Sequence, residues 1–143
     1  MMQKLLNASV PWVIITATRE ALGPWNSPEN AKANKYLGSV MRLAWGSRGV
    51  VELTGVYKGV EQGPSFLVFG PSLRTALAMA RRWGQESVVV PEGLLFQNGE
   101  VNPRVPAEDI FGPEAAQQEF HSVAPNGECF SLGLDFGVTR KIL

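Results

Sequence analysis

Pro11–Gly46, PWVIITATREALGPWNSPENAKANKYLGSVMRLAWG, holds a strand signal and a helix signal side by side, and their order sets the fold. Trp12–Thr18 is short, β-branched and preceded by Pro11, which predicts a buried strand whose far end turns polar at Thr16, Thr18 and Arg19. A loop of breakers follows, Gly23, Pro24, Trp25 and Asn26. In the next triplet Ser27 suits an N-cap, Pro28 the first helical position and Glu29 the positive end of the helix dipole. Ala33, Leu37, Val40 and Ala44 then recur on one face, so the predicted helix runs to Trp45-Gly46.

The same alternation continues downstream. Gly49–Tyr57 and Pro64–Phe69 are β-rich runs joined through Gly59 and Gly63, which predicts a hairpin with a long tip. Ser72 caps a second helix in which Leu73, Ala76, Leu77 and Ala80 repeat, Arg81 and Arg82 complement the dipole, and Gly84 supplies the stop. Ser87–Val90 and Leu94–Phe96, parted by Pro91-Glu92-Gly93 and followed by an Asn98-Gly99 turn signal, predict a further strand or short hairpin. The order β-α-β-β-α-β predicts an α+β fold of the ferredoxin-like split-sandwich type, an antiparallel sheet with two helices on one face.

Past this core, Asn102–Pro106 reads as a loop, Gly112-Pro113 leads into a helical turn at Glu114–Gln118, and Pro125-Asn126-Gly127 turns a last hairpin with Cys129–Phe136 as its strand. The expectation is one domain over 1–143, with a core at 12–97 and a C-terminal β-hairpin appendage within 98–143. A chain of 143 residues, 45% hydrophobic and 18% charged, suits one core of this size.

Charge and composition exclude several classes. Thirteen basic and thirteen acidic residues leave no net charge, which removes the global footprint of a sequence-specific nucleic-acid binder and leaves only a local basic patch. No run approaches a membrane span, and the apolar run in Met1–Leu6 is too short for a signal peptide, so the expectation is a cytoplasmic protein. One cysteine, Cys129, and one histidine, His121, allow no disulfide framework and no thiol metal site. Gly-rich phosphate loops are absent, and no cofactor is expected.

Ile14-Ile15-Thr16-Ala17, Ser27 with Asn30, Asn34 and Leu37, Glu61 with Ser65-Phe66 and Val68, and Trp83-Gly84-Gln85 stand in an order that resembles a bacterial and phage family. It is the family known as domain of unknown function 3293, with its "ITA-x-NP" strand, "S-x-x-N-x-x-x-N-x-x-L" helix, "E-x-SF-x-V" strand and "FGQ-x-A" helix end. The likeness covers about 12–97. Thr18-Arg19 stands where the family shows an aromatic and Asn, and Gly63-Pro64 separates Glu61-Gln62 from Ser65. The resemblance implies one compact α+β domain and no settled activity.

Thr16, Ser27, Asn30, Asn34, Ser65 and Gln85 align with that pattern, and Asn30 and Asn34 sit one helical turn apart beside the apolar stripe. With Thr18, Arg19, the loop residue Trp25 and Arg82, all of these but Ser65 form the expected ligand site, where amides and hydroxyls bind a polar group, Trp25 lids it and an arginine holds any phosphate. The alternative for the same amides is structural, tying the helix to neighbouring backbone. Arg42, Arg48, Arg74 and Arg81 are read as a solvated face or an anion clamp. Acid-base chemistry would need Glu52, Glu61 and His121 beside Lys58.

Three functions fit these residues. The first is a non-catalytic binder of a small polar or nucleotide-like molecule, in one version a phage protein that sequesters a host signalling molecule. The second is an interaction or inhibitor module acting on a host protein. The third is a small hydrolase or transferase. A homodimer is expected by analogy with small antiparallel sheets.

Overall fold

In the computed structural model, which describes Met1–Leu143, the chain forms helices α1 (Met2–Leu6), α2 (Pro28–Trp45) and α3 (Leu73–Arg82). Its strands are β1 (Trp12–Ile15), β2 (Val50–Tyr57), β3 (Val60–Phe69), β4 (Ser87–Val90), β5 (Gly93–Phe96), β6 (Glu100–Pro103), β7 (Ile110–Phe111), β8 (Phe120–Val123), β9 (Cys129–Ser131) and β10 (Arg140–Lys141). The predicted caps form: Ser27 Oγ accepts from the Asn30 amide at 3.1 Å, and Ser72 Oγ from the Thr75 amide at 3.2 Å.

All the strands join one 10-stranded antiparallel sheet in the order β10-β6-β5-β4-β1-β3-β2-β8-β9-β7. The fold is therefore α+β but not the ferredoxin-like sandwich that the element order predicts. Residues 98–143 are not a hairpin appendage either: they supply β6 and β10 at one end of the sheet and β7, β8 and β9 at the other. Asn102 and Pro103 lie in β6, not in a loop, and the strand predicted to Phe136 stops at Ser131. These segments are 2–4 residues long, too short to show a period, and each is made a strand by its pairing partner.

Alternation along the strands sorts side chains to two faces. Val13, Ile15, Phe66 and Val68 meet Leu37 and Met41 of α2 and Ala76 and Ala80 of α3. Helix α2 comes so close that a Cβ on Gly38 would stand 2.9 Å from the Phe66 ring. On the other face, Trp12, Leu53, Leu67 and Phe130 enclose Met2 and Leu6 of α1, and the Trp12 indole donates to the Leu6 carbonyl at 3.0 Å.

The sheet curls, and its two ends meet on that second face. Seven strand spacings separate β6 from β9, roughly 34 Å on a flat sheet. Yet Arg104, just beyond β6, bridges to Leu134, just beyond β9; Val105 donates its amide to Gly133 O at 2.8 Å and Asp135 to Pro103 O at 2.8 Å. A side chain on Gly133 would overlap the Val105 carbonyl. The junction is locked by an ion pair, Arg104 Nη2 to Asp109 Oδ2 at 2.6 Å, with side chains only 5% and 3% exposed. Asp109 Oδ1 also accepts from the Gly133 amide at 2.8 Å, and the guanidinium lies 5.6 Å from the centre of the Trp12 ring.

Removing one partner of a buried pair leaves the other charge uncompensated, so Asp109→Asn is expected to lower stability by about 3–5 kcal/mol in urea denaturation. The double variant Arg104→Met/Asp109→Leu should recover most of that loss; equal stability of wild type and Asp109→Asn would show that the pair does not hold the closure. Helix α1 has a weaker tether. The Glu128 carboxylate accepts from the Met2 amide at 3.1 Å and from Asn126 Nδ2 and lies near the Met1 amino group, and these contacts, the Met2 amide foremost, hold its pKa below the ordinary carboxylate value. A lowered native pKa contributes stability above the unfolded pKa, about 4.3, that is lost as pH falls through the native value. Acidification through the native value should therefore loosen the N-terminal end of α1, read by NMR at the Met2 amide, and Glu128→Gln should remove that step.

Candidate functional site

Beyond Ile15 the chain leaves the sheet, and its amides need new partners. Two side chains of α2 supply them. Asn34 Oδ1 accepts from the Ala17 amide at 2.8 Å while its Nδ2 donates to Thr18 Oγ1 at 2.8 Å. Asn30 Oδ1 accepts from the Arg19 amide at 2.9 Å, and its Nδ2 donates to the carbonyls of Gly23 and Pro24 at 3.0 and 2.9 Å. Thr16 Oγ1 donates to Pro64 O at 2.8 Å, Ser27 Oγ donates to Leu22 O at 2.8 Å, and Gln85 Nε2 donates to Thr18 O at 3.3 Å. Asn30 and Asn34 are fully enclosed, at 0% and 2% exposure.

Thus Thr16, Thr18, Ser27, Asn30, Asn34 and Gln85 come together around the end of β1, with the Arg19 backbone among them. Asn30 and Asn34 spend their amides on the chain itself, and the network holds 16–24 against α2. The Arg19 side chain crosses Gly84, and the half-buried Trp25 ring lies against Gly63. Arg82 is exposed on α3 and does not join them. The charged candidates are dispersed. Arg42 pairs with Glu52 at 3.7 Å and Lys58 with Glu119 at 3.3 Å; Glu61 and His121 flank Val56 in register from opposite sides, two strand spacings or roughly 10 Å apart.

The sheet's curl leaves a cleft of about 210 Å³ on the face opposite α2 and α3. Its floor is β1 and β3, its walls are β4 with β5 and β8 with β9, and the strand-like return at Leu132 and Leu134 closes it on one side. Ile14, Val89, Leu94, Phe130, Leu132 and Leu134 make it apolar, and no ionisable side chain lines it. Hydroxyls sit toward the open end. The register Ile14↔Val89 and Ile15↔Phe66 places Ser87, Thr16 and Ser65 side by side across three adjacent strands, and Ser122 faces them from β8.

Thr16 uses its hydroxyl on Pro64, and Ser131 donates to Phe120 O at 2.9 Å. Ser65, Ser87 and Ser122 make no side-chain hydrogen bond within the chain although all three line the cleft, and Ser122 is only 7% exposed. Of the polar residues that the sequence singles out, Thr16 and Ser65 line this cleft. The serines carried a weak signal: Ser65 with Leu67, and Ser87 with Val89, keep inward period-two spacing. Which face is inward, however, depends on pairing partners far away in sequence.

No family model matches the chain, and no curated protein matches it.

Asn34→Ala should strand the buried Ala17 amide and cost about 1–3 kcal/mol in chemical denaturation. Arg82→Ala, on the exposed face, should stay within about 0.5 kcal/mol of wild type. Equal effects of the two would mean that the Asn34 amide is not the anchor of the β1 end.

Proposed function

We propose that this chain is a non-catalytic binding protein for a small organic molecule whose buried part is uncharged and largely apolar, seated in the curled sheet's cleft. The observation that carries this reading is Ser122, a residue only 7% exposed that lines an apolar cleft and makes no side-chain hydrogen bond within the chain. A polar group left open at the wall of an apolar cleft is what fixes a ligand's orientation elsewhere. Ser65 and Ser87 provide two further donors within the same cleft. At about 210 Å³ it lies below the 300–1,000 Å³ of typical drug-sized sites, which favours a fragment-sized ligand.

An ionised phosphate or carboxylate buried here would lack a counter-charge, so a nucleotide-like ligand fits through its base alone. Sequestration of a host signalling molecule by a phage protein is the version suggested by the sequence resemblance. A second reading, docking on another protein or a second copy, rests on Tyr57, Val60 and Phe120, which neighbour one another in register at 43%, 55% and 55% exposure.

Titration with n-hexanol, followed through the methyl NMR signals of Ile14, Val89 and Leu94, should give saturable shifts confined to the cleft. Ser122→Leu, which fills the cleft and removes the hydroxyl, should weaken binding about tenfold or more with the fold retained. Shifts scattered over the surface, or unchanged affinity in the variant, would overturn the reading.

A further inference from the structure

Ser122 stands between two aromatic residues on one wall of the cleft. Phe130 pairs with it in register across β8 and β9, which sets their Cβ atoms roughly 5 Å apart. Phe120 lies two residues back along β8, on the same face and roughly 7 Å away. All three residues line the cleft.

The two rings differ in what already covers them. Phe130 is 2% exposed and stacks on Phe111, with ring centres 6.4 Å apart and planes 27° from parallel. Phe120 stacks on no ring in the chain, that of its register partner Tyr57 included, and is 55% exposed although it lines an apolar cleft. Its backbone is held in place, because Ser131 Oγ donates to the Phe120 carbonyl at 2.9 Å. The other wall is aliphatic, with Val89 on β4 and Leu94 on β5.

Size points the same way. The cleft's volume of about 210 Å³ admits one aromatic ring with a substituent, since an apolar cavity of about 150 Å³ holds benzene. Aromatic pairs attract one another at centre spacings of about 4.5–7 Å, beyond what their buried area contributes. A ring bound beside Ser122 meets a phenylalanine on either side at spacings of that order.

We infer that the ligand is a small uncharged aromatic molecule, one ring bearing a hydroxyl or amide that meets the Ser122 hydroxyl, and that Phe120 selects the ring over an aliphatic group. This rests on the cleft being a ligand site, as proposed above, and adds the chemical class. No ionisable side chain lines the cleft, so the ring's substituent is neutral.

Phenol and cyclohexanol share a size and a hydroxyl and differ in the ring, so the NMR titration at the Ile14, Val89 and Leu94 methyls separates the possibilities. The wild type should bind phenol about tenfold tighter than cyclohexanol. Phe120→Leu, at an exposed position, should weaken phenol about fivefold and leave cyclohexanol within about twofold, and Phe120→Trp should keep the preference. Ser122→Ala should weaken both probes alike. Equal binding of phenol and cyclohexanol to the wild type overturns the aromatic ligand while the cleft stands. A phenol preference untouched by Phe120→Leu does the same, and assigns the Phe120 ring to the outer surface with Tyr57 and Val60. Absence of saturable binding by both probes removes the cleft and its aromatic ligand together.

Discussion

The buried pair between Arg104 and Asp109 is the contact on which the remaining architecture depends. It lies where the chain beyond β6, the approach to β7 and the segment at Gly133 beyond β9 converge above the fully buried Trp12. An ion pair so enclosed carries a large desolvation penalty and holds only with good geometry and further bonds. Asp109 has both, through the guanidinium and the Gly133 amide. Arg104 also reaches Asn7 Oδ1 at 3.2 Å, which ties the end of α1 to the same point. Its Nε is buried without a partner, so the site is tight but not fully satisfied.

Closure at this end is what gives the sheet a hollow inner face. A flat antiparallel sheet would present Ile14, Leu67 and Val89 to solvent, whereas the curl turns them toward Phe130 and Leu132 across a cleft. Helix α1 fills the half of the hollow near Trp12, and the half near Thr16 stays open. Core and cleft are thus two ends of one surface, divided by where the apolar packing stops. The amide network of Asn30 and Asn34 does related work on the other side of β1: it anchors the chain just past Ile15 and keeps the strand end from fraying into the cleft's mouth.

Much of the local structure was legible. Ser27-Pro28-Glu29 announced α2, the spacing of Leu73, Ala76, Leu77 and Ala80 announced α3, and the β-branched runs marked β1, β3 and β4. The amides of Asn30 and Asn34 also stood out as polar groups beside an apolar stripe. The cleft was not legible: Ser65 stood in the recognised pattern, but what brings Ser87 and Ser122 round to it is the pairing of β1 with β4 and of β2 with β8, segments far apart in the chain. The extension misled for the same reason: Glu100–Pro103 and Cys129–Ser131 have no period of their own.

By itself, then, the sequence determined what short-range physics controls: caps, helical stripes, β-branched runs and the turns between them, each set by residues within a few positions of one another. Only the tertiary structure decided how many strands share the sheet, that its ends meet through Arg104 and Asp109, and which hydroxyls look inward. Those outcomes rest on pairing and burial between segments such as those just beyond β6 and β9, and no local preference encodes a contact that exists only after the sheet has curled.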